Sequence, residues 1–436
     1  MPRKNLLHSR TGRLTTFGLL YISEGIPYGF SSIAMVAIMR TAGLSLEQIG
    51  TFVAALILPW SFKWLWAPVV DVVTLNRIGG RKAWIMICTS MMIVTLVFTA
   101  TVDFVADFQW LLVMVVLNNF FCATQDVAID SLAVSTLHED EWGIGNGIMF
   151  GGQYLGITLG GGGAFFAFGM WGLDVTLIYV SSVLALELMF VFFFIADPAA
   201  ANPAVARVDN ALRKLASTLS AFVREVYVSF FRSGVGPKIG LLFSVLPIGA
   251  MALAYATLGT LQVDYGLTDF QIAQISVYHT ITTGVGCVVG GMLASRYGIK
   301  KMLALYYFLT AVPTAFLALR ISQLGLANVP LHEFYGAVLF HGLLFGMAFG
   351  QKAAIFMGMT NPAVAATQFT AFMAMSNLII SLCNYWTGMV AERFDYSLVL
   401  FIDSLLVIFP LTVIPFLRKR EDPPELSEPA LAAVHS

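Results

Sequence analysis

Residues 121–137 read FCATQDVAIDSLAVSTL, with Gln125, Asp126 and Asp130 set in a long apolar run. A carboxylate in hydrocarbon is costly, so an ionisable residue in such a run faces a protein interior or a water-filled path. Asp126 and Asp130 are four residues apart. On a helix that spacing puts both on one face, with Gln125 beside them. Such a face requires polar partners on other segments of the chain.

Composition says what kind of chain this is. Of 436 residues, 58% are hydrophobic and 11% charged, and the mean hydropathy is +0.81. That excludes a soluble domain and points to an all-α polytopic membrane protein. A net charge of −1 argues against a nucleic-acid partner. Cys88, Cys122, Cys287 and Cys383 fall far apart within apolar runs and read as core residues; no metal or other cofactor is expected. The chain lacks HExxH and GxSxG, and no GK[ST] follows its glycine runs at Gly160–Gly163 and Gly284–Gly291. An enzyme is therefore not expected, and those glycines read as small residues at helix contacts. His138-Glu139-Asp140-Glu141 reads as a solvated acidic run in a loop. No small-residue cleavage site precedes the first apolar run, so that run is expected to be retained.

Breaks at charged and turn-forming residues give twelve spans, near 14–39, 47–70, 82–102, 108–136, 144–169, 174–195, 239–263, 270–294, 300–320, 332–357, 363–391 and 396–417. Each is long enough to cross ~30 Å of hydrocarbon. Lys and Arg cluster before the first span, after the second, between the sixth and seventh, after the eighth and after the last. The opposite loops carry Arg40, Arg320 and Arg393, so both termini are expected in the cytoplasm.

The halves repeat. LSLEQIG at 44–50 returns as LTDFQIA at 267–273, Asp71 with Gly80-Arg81-Lys82 returns as Ser295 with Gly298 and Lys300-Lys301, and Gln125 is echoed by Gln351. The offsets are about 224 residues, which marks a duplicated unit. Two six-helix bundles with a site at their interface is the major facilitator plan. The expected organisation is a cytoplasmic tail (1–13), an N-terminal bundle (14–195), a linker (196–238), a C-terminal bundle (239–417) and a second tail (418–436). Val208, Leu212, Leu215, Leu219, Phe222, Val226 and Phe230 recur at helical spacing and predict an amphipathic linker helix at the membrane surface. The tail from Glu421 reads as disordered.

Counting 1.5 Å per residue from the span centres puts Glu24, Lys63 and Asp126 at one level, ~3–6 Å from the midplane, and Asp130 and Lys352 ~9–10 Å toward the cytoplasm. Glu24 and Asp126 are the expected proton-coupling groups, since a carboxyl between bundles loads and releases a proton as its surroundings change. Lys63 reads equally as a partner for these acids and as a substrate contact. Lys352 suits an anionic substrate group, with Asp403 the chief acid near it. Gln125, Gln153, Tyr154 and Gln351 complete the expected substrate site. Asp130 lies toward the loop that carries Arg81, so a cytoplasmic gate ion pair is expected for those two. Trp60, Trp64 and Trp66 could stack on a sugar or an aromatic ring. His341 reads as packing or a hydrogen bond. The expected partners are a small-molecule substrate, protons and the lipid bilayer, and the expected state is a monomer.

LYISEGIPYGF (20–30), LPWSFKWLWAPVVD (58–71), GGRKAWI (79–85), ATQDVAID (123–130) and NPAVAATQFTAF (361–372) resemble the AmpG-type muropeptide permeases, which share ancestry with the acetyl-coenzyme A transporters of the major facilitator superfamily. The resemblance covers nearly the whole chain. It implies proton-driven import of anhydromuropeptides across a bacterial inner membrane, with Lys63, Gln125, Asp126 and Asp130 at the family's polar positions and Asp71 and Arg81 in its gate loop. Where family members read GYRLG, this chain has Gly152-Gln153-Tyr154-Leu155-Gly156, without the arginine. Acyl- or acetyl-coenzyme A species and siderophores remain alternative cargoes, and a non-transporting sensor on a carrier scaffold remains an alternative of another class.

Overall fold

The computed structural model describes residues 5–73, 79–104, 106–198 and 211–421. Arg3, Lys4, Arg77, Arg207, Val208 and the tail beyond 421 fall outside them, and over 211–219 only the helical backbone is described. The described residues form helices joined by short turns. Among the described residues, nine helical runs are long and apolar enough to cross a membrane. One of them, Glu139–Phe194, contains two crossings that turn at Gly172, where φ is +82°. Thr51–Leu65 supplies another crossing, and the helix pair Gly236–Ser244 and Ala256–Tyr265 a further one. The count of spans is thus the twelve expected.

The repeat reappears as matched bonds. LSLEQIG and LTDFQIA each build a capping box at a helix start. Ser45 Oγ accepts from Gln48 N at 3.2 Å and Ser45 N donates to Gln48 Oε1 at 3.0 Å; Thr268 and Gln271 do the same at 3.3 and 3.0 Å. The third span, Arg81–Thr99, and the ninth, Ile299–Leu324, both start after a glycine of positive φ, Gly80 (67°) and Gly298 (98°). Lys82 then donates to Phe192 O at 2.7 Å, and Lys300 to Pro415 O and Leu417 O at 3.0 and 2.8 Å. In each half, one lysine ties the third helix of the unit to the last.

The seventh span departs from expectation, because it is not one helix over 239–263. Pro247 removes a backbone donor and Gly249 takes φ +68°, so the helix stops at Ser244 and resumes at Ala256. Irregular backbone at membrane depth survives only when its polar groups are satisfied. Thr310 accepts from Ala250 N at 2.9 Å, Asp403 from Ala252 N at 2.8 Å, and His341 Nε2 bonds Ala250 O at 3.0 Å.

The linker helix, Ala211–Phe231, is more than a surface tether. Asn361 donates to Glu225 at 2.6 Å and to Ser229 Oγ at 2.9 Å, Gln368 donates to Ser229 O at 3.1 Å, and Phe230 packs edge-on against Phe372. These bonds fasten it to the turn before the eleventh span, Ala365–Arg393.

The two halves meet closely where the fifth span, beginning at Trp142, crosses the eighth, Asp269–Tyr297. A Cβ on Gly147 would lie 2.5 Å from Cys287 O and 3.0 Å from Gly291 Cα. Only a residue without a side chain fits there. Gly147→Val should therefore cost about 1–3 kcal/mol of stability, read as a lower melting temperature of the purified protein. Gly169→Ala, at a helical glycine with open space around it, should leave that temperature unchanged or slightly raised.

Candidate functional site

Within the spans of the N-terminal half, Glu24, Asp126, Asp130 and Glu187 are buried together with Lys63. Lys63 forms an ion pair with Asp126. Tyr21 donates to Asp130 at 2.5 Å, and Gln153 donates to Glu24 at 2.7 Å. Gln125 donates to Thr89 at 2.7 Å and to Glu187 at 2.9 Å, and Ser23 donates to Glu187 at 2.7 Å. The second span places Lys63 by changing its winding: the helix ends at Phe62, a 3-10 turn covers Lys63–Leu65, and Ala67-Pro68 starts the next helix. The fourth span, Phe108–Thr136, is unbroken and presents Gln125, Asp126 and Asp130 within just over one turn. Among the described residues, Glu24 Oε2 and Gln125 Oε1 are buried without a hydrogen-bond partner. Lys63 Nζ lies 5.2 Å from the Trp60 ring centre, and Trp60 meets Tyr28 edge-on at 5.9 Å. Trp66 donates to Thr124 and is used structurally, while Trp64 is exposed.

At the lysine- and arginine-rich end of the bundle, hereafter the basic end, the halves are tied by two crossed caps. Asp71, after the second span, accepts from Ala366 N at 3.0 Å and from Thr367 N and Oγ1, both at 2.7 Å. Those amides open the eleventh span. Ser295, in the repeat position, accepts from Ile144 N at 2.9 Å in the first turn of the fifth span. Gln351 adds a bond to Gly143 O at 3.3 Å, with its Oε1 unpartnered among the described residues, and Lys419 pairs with Glu139.

Two expectations for this end need correction. Arg81 does not pair with Asp130: its Nε donates to Ser131 at 2.8 Å, and its backbone N and guanidinium meet Asp197 at 2.8 and 3.7 Å. Asp130 points inward to Tyr21 instead. The acidic run is not wholly solvated, because Glu141 is buried and accepts two bonds from Arg13, at 2.6 and 2.8 Å.

Lys352 is buried in the C-terminal half, away from the acid cluster. It does not meet Asp403, which is spent on the backbone of the seventh span. Its ammonium donates to Leu246 O at 2.9 Å and Ser244 O at 3.3 Å, and lies 5.4 and 5.9 Å from the Phe243 and Phe356 rings. Carbonyls at a helix C-terminus carry partial negative charge, so this lysine is satisfied without an acid. Tyr154 lies at the crossing of the halves, where a Cβ on Gly284 would stand 3.1 Å from its own Cβ. Sequence reasoning passed over Tyr21, Asp197 and Arg13. A tyrosine in an apolar span and charges near span ends carry no signal of their partners.

The sequence matches the family model of the Major Facilitator Superfamily over residues 17–384. The Anhydromuropeptide permease of Escherichia coli (strain K12) is 23% identical over 362 residues, covering 82% of this chain and 70% of that protein. Putative transporter AmpG 4 of Rickettsia felis is 22% identical over 425 residues, covering 94% and 97%. These names agree with the resemblance read from the motifs. Among solved structures, the transporter FucP in the outward conformation aligns with TM-score 0.67 at 13% identity, covering 93% of this chain and 98% of that one. The proton:xylose symporter XylE aligns at 0.70 and 11%, covering 95% and 98%. Both likenesses are of fold.

Tyr21→Phe removes the hydroxyl that, among the described residues, is bonded to Asp130. A hydrogen bond to a charged group is worth about 1.5–3 kcal/mol, so the variant should unfold at a measurably lower temperature while keeping its helical circular dichroism.

Proposed function

The chain belongs to the Major Facilitator Superfamily, and we propose that it is a proton-coupled importer of anhydromuropeptide-like sugar-peptides. As a superfamily transporter it is a multi-pass membrane protein that moves a small molecule. The observation that carries the finer reading is the burial of Glu24, Asp126, Asp130 and Glu187 in the spans of one half, with Lys63 paired to Asp126 among them. Ionising all four acids would leave three negative charges without a counter-ion, at a cost of several kcal/mol each. Such a cluster suits proton uptake and release. The names of the relatives supply the cargo class.

The basic end is taken as cytoplasmic by its lysines and arginines. Its crossed caps then close the cytoplasmic side in the described conformation, and cargo enters from the opposite side. An anionic group on the cargo competes with Asp126 for Lys63, and the displaced carboxylate takes a proton. Glu24, one turn from Tyr28 and bonded to Gln153, stands beside that exchange and serves as the second proton site. Trp60 and Tyr28 present aromatic surface to a sugar ring at the same level. Opening the cytoplasmic side requires Asp71 to leave the eleventh span and Ser295 to leave the fifth. Movement of the tenth span against the broken seventh frees Lys352 from its carbonyls to meet the anionic group of the departing cargo.

In proteoliposomes with an imposed pH gradient, the wild-type protein should accumulate a labelled anhydromuropeptide. Asp126→Asn should abolish accumulation while leaving the protein folded and inserted; accumulation at the wild-type level in that variant would remove Asp126 from coupling. Absence of wild-type uptake, together with thermal stabilisation by an acyl-coenzyme A or a ferric siderophore, would move the cargo to those classes.

Asp71→Ala tests the gate. Losing a helix cap costs about 1–2 kcal/mol, so the ratio of closed to open cytoplasmic ends should fall about 5- to 30-fold. Spin-label distances between the turns at 138–141 and 298–301 would report it as a larger open fraction.

A further inference from the structure

On the fifth and tenth spans an aromatic ring stands between two polar layers. Along the fifth span, Asn146 donates to Trp142 O at 2.8 Å, Phe150 follows one turn later, and Gln153 reaches Glu24 in the next turn. Along the tenth, Leu331–Met357, Phe349 comes just before Gln351 and Lys352 on the way to the basic end. Counted at helical rise from the basic-end residues Trp142 and Met357, Phe150 and Phe349 both lie ~12 Å deep. Asp126 and Glu24, counted from Thr136 and Arg10, lie deeper, at ~15 and ~21 Å. The two rings therefore fall between the layer of the Lys63–Asp126 ion pair and the crossed caps.

The rings also touch. Phe150 meets Phe349 edge-on across the two halves, with ring centres 4.9 Å apart. Phe150 continues to Tyr21 of the first span at 5.5 Å, and Phe349 to Phe345 and then to Tyr255 of the broken seventh span at 5.9 and 5.7 Å. Five rings thus form one row from the first span to the seventh. Tyr21, Phe150 and Phe345 are buried, and Phe349 and Tyr255 are half-buried. The layer nearer the basic end has another character. Among the described residues, Asn146 Oδ1 and Gln351 Oε1 are buried acceptors without a donor. Such acceptors are ordinarily met by water. The cap layer is therefore built to be wet, and its latches do not themselves exclude water.

We propose that this row of rings, centred on the Phe150–Phe349 contact, is an inner seal that keeps water and protons from passing along the seam between the halves. Apolar constrictions close aqueous paths by dewetting. Edge-on contact is a favoured arrangement of aromatic rings, and with one ring on each half the seal parts when the halves separate. The two barriers then have different tasks: the caps latch the helix ends, and the rings keep the interior dry. The inference does not depend on which cargo the protein carries or on which acid takes the proton.

The test measures passive proton flux in cargo-free proteoliposomes of the full chain, from the rate at which an imposed pH gradient reaches a trapped fluorescent pH indicator. The wild type should be nearly as tight as protein-free vesicles. Phe349→Ala should raise the flux about tenfold. Phe150→Ala, on the facing half, should do the same, and it carries the test if the first variant fails to fold, as circular dichroism and gel filtration of each variant will show. Phe349→Leu keeps the position apolar and should stay within about twofold of the wild type. Phe340→Ala removes an exposed ring from the same span and should leave the flux at the wild-type value. The proposal is overturned if the wild type itself conducts protons, if both alanine variants stay tight, if Phe349→Leu leaks as freely as Phe349→Ala, or if Phe340→Ala leaks as much.

Discussion

Two helix starts, each closed by a side chain from the opposite half, hold this molecule in its described shape. A helix leaves its first amides without intrahelical partners, and here the eleventh span finds them on Asp71 and the fifth on Ser295. A side-chain cap is worth about 0.5–2 kcal/mol, and a carboxylate gains up to ~1 kcal/mol more from the helix dipole at an exposed end. The pair therefore contributes a few kcal/mol. Taking a two-state equilibrium from 1:99 to 99:1 requires about 5.5 kcal/mol. Latches of this size hold the end closed in the described conformation and are within reach of the binding energy of a small ligand. The two are unequal, because a carboxylate accepting three bonds outweighs a hydroxyl accepting one.

The glycines at the crossing of the fifth and eighth spans serve the same economy. With no hydrophobic drive between helices in lipid, close approach and hydrogen bonds must supply the association. Gly147 against Gly291 brings the backbones near enough for Ile144 to reach Ser295 and for Gln351 to reach Gly143 O. Wider residues there would separate the helices and break the cap with the packing.

What could be read in the sequence follows from how local each signal is. LSLEQIG and LTDFQIA were legible as helix starts because a capping box lies within four residues. Lys63 and Asp126 could be matched because both are charged and both fall at one depth in their spans. The break in the seventh span was written in Pro247 and Gly249, but the apolar residues around them concealed it, and nothing local indicates that Thr310, Asp403 and His341 satisfy the opened backbone. Glu141 looked solvated because its neighbours are charged; its partner, Arg13, is 128 residues away. Asp130 was matched to Arg81 by depth alone, and depth does not say which way a helix face turns. Tyr21 settles that, and a tyrosine among apolar residues gives no warning of it.

The distribution of buried charge between the halves has a physical logic. The N-terminal half gathers acids around one lysine, so its charge balance depends on protons and on whatever else approaches Lys63. The C-terminal half buries a lysine with no acid partner and compensates it with carbonyls at the end of a half-helix and with two aromatic faces. Those carbonyls are available only because the seventh span is broken; a continuous helix would have spent them on its own amides. The break is thus what allows an ammonium to rest buried in the C-terminal half without a carboxylate beside it. A carboxylate there would neutralise Lys352 in every conformation. Backbone carbonyls are a weaker counter-charge than a carboxylate, so they hold Lys352 less firmly than a buried acid would.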